Sequence, residues 1–145
     1  MAARRGKTKA TAPRSVADHL KEVPPGVRPT LQAARRAVKA IAAGAIEVAY
    51  QGAAPRSATF MWKIARYAVD GANVVGIGTY PGHSNLFFYR GRELDDGSGL
   101  LEGGGKEMRS ITLRTPADAA RPQVQRMLKK AFELGGARPG QSGAR

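Results

Sequence analysis

The residues with chemistry to offer crowd into one stretch, 83–109, which holds His83, Asn85, Arg90, Glu93, Asp95, Asp96, Glu102, Lys106 and Arg109. Its glycine run, Gly103-Gly104-Gly105, stands beside Lys106 and Arg109. A turn of that kind presents backbone N–H groups and two cations to an anion. His83, Asp95, Asp96 and Glu102 are the types that ligate a hard cation or move protons. No Asp-x-Asp-x-Asp-Gly loop and no His-x-x-x-His pair supports a metal by spacing.

Other motifs fail on inspection. Gly76-Ile77-Gly78 begins like a dinucleotide fingerprint, but Pro81 stands at the third glycine position and the context is strand rather than helix. Gly103 to Lys106 resembles the end of a P-loop. The first glycine of that motif would fall on Leu100, and Glu107 follows the lysine where a magnesium-binding hydroxyl is required. No serine sits in a nucleophile elbow. The chain has no cysteine, which excludes disulfides, thiolate zinc and cysteine nucleophiles and fits a reducing compartment. His19, the other histidine, is expected on the surface of a short helix. No catalytic residue is assigned, and the chain reads as a binding protein rather than an enzyme.

Trp62, Tyr67, Tyr80, Phe87, Phe88 and Tyr89 would stack on bases if they lined an open sheet, and form its core otherwise. Successive strand residues point to opposite faces, so at least one of Phe87, Phe88 and Tyr89 faces away from the core. Either a second layer or a binding surface must cover it.

The elements that carry these residues are legible from period and punctuation. Ser15, with Asp18 three residues on, caps a short helix that stops at Pro24-Pro25. A second helix is expected from Pro25 to Ala43, with Val27, Leu31, Ala34, Val38 and Ile41 on its buried face and a basic stripe of Arg28, Arg35, Arg36 and Lys39 opposite. Strands are expected over 45–51, 67–69, 73–79, 85–90 and 110–114, with 67–69 and 73–79 joined by a hairpin turn at Asp70-Gly71. Residues 59–66 fit strand or helix equally. Thr115-Pro116 opens a last helical stretch, restarted at Pro122, which buries Val124, Leu128, Ala131 and Phe132 before Gly135. Helices, then strands, then helices give an α+β class: an antiparallel β-sheet with the N-terminal and C-terminal helices packed on one face.

Domain limits follow composition. Residues 1–14 hold Arg4, Arg5, Lys7, Lys9 and Arg14 without an acid and read as a disordered basic tail. Residues 136–145 read as a second tail, leaving one domain over 15–135. The formal charge is +13, of which the first tail carries +5 and the last ten residues +2. Such an excess attracts polyanions, nucleic acid above all. No apolar run approaches the roughly 20 residues of a membrane span, and no secretory signal is expected, so the reading is cytoplasmic.

The run His83-Ser84-Asn85-Leu86-Phe87-Phe88-Tyr89-Arg90-Gly91, with Leu94-Asp95-Asp96, Leu100-Leu101-Glu102-Gly103-Gly104-Gly105-Lys106 and Arg109, resembles the YdhG-like family of unknown function. The resemblance spans about 15–134. It implies a frataxin-like sandwich, and some relatives are proposed as iron chaperones. Three functions are therefore expected in order. The first is a non-enzymatic binding or accessory domain that holds an anionic ligand or partner protein through His83, Asn85, Arg90, Asp96, Lys106 and Arg109. The second is a nucleic-acid-associated protein using Arg4, Arg5, Lys7, Lys9, Arg14, Arg35, Arg36 and Lys39 on phosphates. The third is a metal carrier using His83, Asp95, Asp96 and Glu102. A resident cofactor is not expected, and iron is disfavoured because the helix that would face it is basic.

Overall fold

Ser15 starts the first helix as its spacing to Asp18 requires. In the computed structural model, which describes residues 13–103 and 105–136, Ser15 Oγ accepts from the Asp18 N–H and Asp18 Oδ2 accepts from the Ser15 N–H, both at 3.0 Å. This reciprocal box opens α1 (Val16–Glu22), and Pro24 ends it by pushing Val23 into extended backbone. Val16, His19, Leu20 and Val23 form one buried stripe. The surface position expected for His19 is thus corrected: the residue is fully buried, because i, i+3 and i+4 share a helix face. Its Nε2 lies 2.6 Å from the Tyr50 carbonyl oxygen, and its ring meets Trp62 edge-on.

Helix α2 (Arg28–Ile41) starts later than Pro25, because a turn intervenes in which the Val27 and Arg28 N–H groups both bond the Pro24 carbonyl. Leu31, Ala34 and Val38 are fully buried on its expected face. The basic stripe is partly internal. Arg35 grips Glu47 with two hydrogen bonds of 2.8 and 2.9 Å, and Arg28 donates to the carbonyls of Lys21 and Val23. Arg36 and Lys39 stay exposed.

Five strands follow: β1 (Ile46–Ala49), β2 (Trp62–Val69), β3 (Ala72–Thr79), β4 (Ser84–Phe88) and β5 (Arg109–Leu113). They pair in that order, each antiparallel to the next. The ambiguous 59–66 segment resolves by pairing. From Trp62 onward it lies against β3 through the Asp70-Gly71 turn, whose φ values of 53° and 81° make it the primed type that fits strand twist. A single helical turn, α3 (Gly91–Leu94), interrupts the 83–109 stretch. Thr115 and Asp118 cap α4 (Pro116–Ala119), and Pro122 restarts the helix as α5 (Pro122–Leu134), closed at Gly135 with φ 94°.

One face of the sheet is apolar. Ile64, Tyr67, Val75, Ile77, Leu86, Phe88, Ile111 and Leu113 are nearly inaccessible there and join Leu31, Val38, Val124 and Leu128 of α2 and α5 in one core. The architecture is α+β, an antiparallel sheet carrying helices on one face. No helix among the described residues is long and apolar enough to cross a membrane. The basic candidates Arg4, Arg5, Lys7 and Lys9, with Gly104 and most of the expected C-terminal tail (137–145), lie outside the described residues.

Candidate binding face

Strand alternation puts the remaining side chains on the sheet face turned away from α2 and α5. Register orders them in rows. Lys63 pairs with Gly78, Gly78 with Asn85 and Asn85 with Thr112; Arg66 pairs with Gly76, Gly76 with Phe87 and Phe87 with Ser110. The two central positions are glycines. At Gly76 the reason is steric, since a Cβ there would stand 2.2 Å from the Phe87 ring. Phe87 is the aromatic that alternation forces out of the core, yet it is 1% exposed. Its own neighbours cover it. Tyr89 lies 6.0 Å away, and Lys63 Nζ is 5.8 Å from its centroid.

Tyr50 follows β1 and Tyr89 follows β4, so the hydrogen bond between their hydroxyls bridges the strands between them. Burial, aided by that bond, pushes the Tyr89 phenol well above its ordinary value. Lys63 Nζ and the Arg66 guanidinium stand 5.7 and 5.3 Å from the Tyr50 ring centroid. Neither cation has a carboxylate partner among the described residues.

In the row that begins at Lys63 stands Asn85. It is 6% exposed, and its Oδ1 is buried without a hydrogen-bond partner. Burying an amide oxygen unpaired costs about 1–3 kcal/mol, and native proteins keep few such atoms. Its strand neighbour Thr112 donates to Glu102 Oε1 instead, at 3.1 Å. The face thus combines two unpaired cations, a phenol pair and an unsatisfied carboxamide. These groups suit recognition of an anion that also carries a hydrogen-bond donor, since Asn85 Oδ1 can only accept.

The six residues expected to hold an anion do not form one site: His83 and Asn85 lie toward one end of β4, while Arg90 and Arg109, the latter 3.9 Å from Asp95, lie at the other. His83 and Arg90 flank opposite ends of β4, roughly 20 Å apart at strand rise. At one end His83 stacks on Tyr80 at 4.6 Å. Burial and then the Arg114 cation hold its imidazole below the ordinary value, against the pull of Glu102. At the other end Arg90, 6% exposed, donates to both Glu93 oxygens and to the carbonyls of Leu134 and Gly136. It fastens the end of α5 to β4. Arg109 donates to the carbonyls of Gly105 and Met108. Asp96 accepts from the Ser98 N–H, and Lys106 is exposed. Asn85 alone of the six lies on the row described above.

The metal set is likewise dispersed. Among the described residues no three His, Asp or Glu side chains gather as a metal requires. Asp95 is turned to the Gly97 N–H, Asp96 to Ser98 and Glu102 to Thr112, each by a local hydrogen bond. The stacking-platform reading also meets burial: Trp62, Tyr67, Phe87 and Phe88 are all at least nine-tenths covered. Of the described nucleic-acid candidates, Arg14 lies 2.6 Å from Glu22 and Arg35 is bound to Glu47, leaving Arg36 and Lys39 on the surface.

Sequence reasoning missed Lys63, Arg66 and Tyr50. Their signal was alternation in β2 once 59–66 is read as strand, together with glycines every second residue in β3. Comparison with family models, curated proteins and solved structures returns no match.

Proposed function

We propose that the chain is a non-enzymatic binding domain of the YdhG-like kind that holds a small anionic ligand on the outer face of its sheet. Asn85 carries this reading: a buried carboxamide oxygen with no partner stands in the row that begins at Lys63. Lys63 and Arg66 supply the counter-charge, and Asn85 gives direction. The antiparallel sheet with helices on one face supports the family resemblance at the level of architecture. The test is a nitrogen–proton correlation spectrum titrated with phosphate, citrate and AMP. The reading expects shifts at the Asn85 side-chain amide and at Lys63, Gly76, Gly78 and Thr112, absent in Asn85→Leu. Shifts confined to the helices, or none at millimolar ligand, would contradict it.

A second reading rests on the other side of the molecule. Arg36 and Lys39 of α2, with Arg126, Lys129 and Lys130 of α5, are exposed, while α5 carries one acid, Glu133. A polyanion held there would bind with steep salt dependence and no base preference. Filter binding of generic DNA and RNA across a salt series tests this; affinity that is flat in salt excludes it.

A further inference from the structure

A groove of about 330 Å³ opens between the end of α1, the loop before β2 and the β3–β4 turn, on the opposite side of the sheet from the Asn85 row. That volume is within the range of small-molecule sites. Its walls include Pro24, Phe60, Trp62, Tyr80 and Pro81, with Arg56 also lining it. Phe60 is 66% exposed, an unpacked aromatic beside a cleft.

Two polar features say what would fill it. The first is charge. Glu22 also lines the groove, but Arg14 stands 2.6 Å from it, whereas Arg56 has no carboxylate partner among the described residues. One positive charge is left over. The second is a donor. Trp62 is 6% exposed, and its Nε1–H is buried with no acceptor. Apolar walls, one uncompensated guanidinium and one unmade indole hydrogen bond complement an apolar body ending in an anionic acceptor. We propose that this groove is a second binding site, for a small carboxylic acid with an aliphatic or aromatic body. The carboxylate is held by Arg56 and the Trp62 N–H, and the body lies between Phe60 and the prolines.

This site is independent of the outer face, because Trp62 points to the opposite side of β2 from Lys63. Calorimetric titration of the full chain with phenylbutyrate and with phenylbutyramide, its neutral amide, tests the assignment. The acid is expected to bind at least about tenfold more tightly than the amide, since charge-assisted hydrogen bonds are the stronger ones. Arg56→Gln, a surface change, should weaken the acid about tenfold and leave the amide unaltered. Trp62→Phe keeps an aromatic wall and removes the N–H; it should cost some core packing and weaken the acid more than the amide. Asn85→Leu should leave phenylbutyrate binding unchanged, so failure of the outer-face reading would be seen separately. Equal binding of acid and amide, no heat with the acid at millimolar concentration, or an Arg56→Gln protein that binds like the wild type would overturn the proposal.

Discussion

Replacing Asn85 by leucine should stabilise the ligand-free protein while abolishing its outer-face binding. Asn85 is 6% exposed and its Oδ1 has no partner, so the folded state bears a desolvation cost of about 1–3 kcal/mol that no hydrogen bond offsets. Leucine has nearly the same shape and no polar atom to bury. Some of the gain is lost to imperfect packing beside Thr112, so a net stabilisation of about 1 kcal/mol is expected, a rise of about 3–5 °C in melting temperature for a domain of this size. Calorimetric melting of both proteins without added anion reads this directly, and urea denaturation gives the free energy. Sites that trade stability for function commonly behave this way. A melting temperature that falls by a similar amount would refute the reasoning, because it would mean that the carboxamide is satisfied in the native state and is structural.

Three further outcomes follow from the packing. Gly76→Ala forces a Cβ to within 2.2 Å of the Phe87 ring and should cost about 1–3 kcal/mol in urea melts, recovered in part by adding Phe87→Leu; strict additivity of the two changes would count against the contact. Glu47 is half-buried against Arg35 and Tyr67. Burial alone would raise its pKa, but the hydrogen bonds from both partners and the Arg35 charge outweigh burial and hold it below its ordinary 4.5. Its stabilisation is therefore complete above that value and lost as pH falls below it through the lowered folded value, so Glu47→Gln should flatten the acid limb of the stability curve; an unchanged limb would exclude the pair as its source. Burial first, then the hydrogen bond to Glu47, raises the Tyr67 phenol far above its ordinary 10.0. A neutral phenol in the fold that ionises when unfolded contributes stability below about pH 10 and loses it above, so Tyr67→Phe should hold its alkaline melting temperature better than the wild type.

Much of the frame was readable because it rests on local chemistry. Ser15 with Asp18, Asp70-Gly71 and Thr115-Pro116 each specify a cap or turn within four residues, and each formed as expected. Alternation through Phe87, Phe88 and Tyr89 correctly required an aromatic outside the core. What local chemistry could not reveal is which polar groups meet across the chain. Glu47 reads as the solvent side of an alternating strand. Instead it turns toward α2, where Arg35, twelve residues earlier, and Tyr67, twenty later, both bond it, leaving Ile46 65% exposed. The segment from His83 to Arg109 reads as one site because it is contiguous. A strand separates its ends in space, and Arg90 is spent on α5, forty-four residues on. The outer face became visible only through register, which joins Lys63, Gly78, Asn85 and Thr112 from four strands.

The most direct measurement is of the Asn85 side-chain amide itself. In a nitrogen–proton correlation spectrum its two proton signals, assigned by their loss in Asn85→Leu, are followed as phosphate, citrate and AMP are added. The account predicts that at least one anion shifts them saturably, with Lys63→Ala weakening the effect. Signals that stay fixed through millimolar concentrations of all three would contradict the claim that this face holds a small anionic ligand.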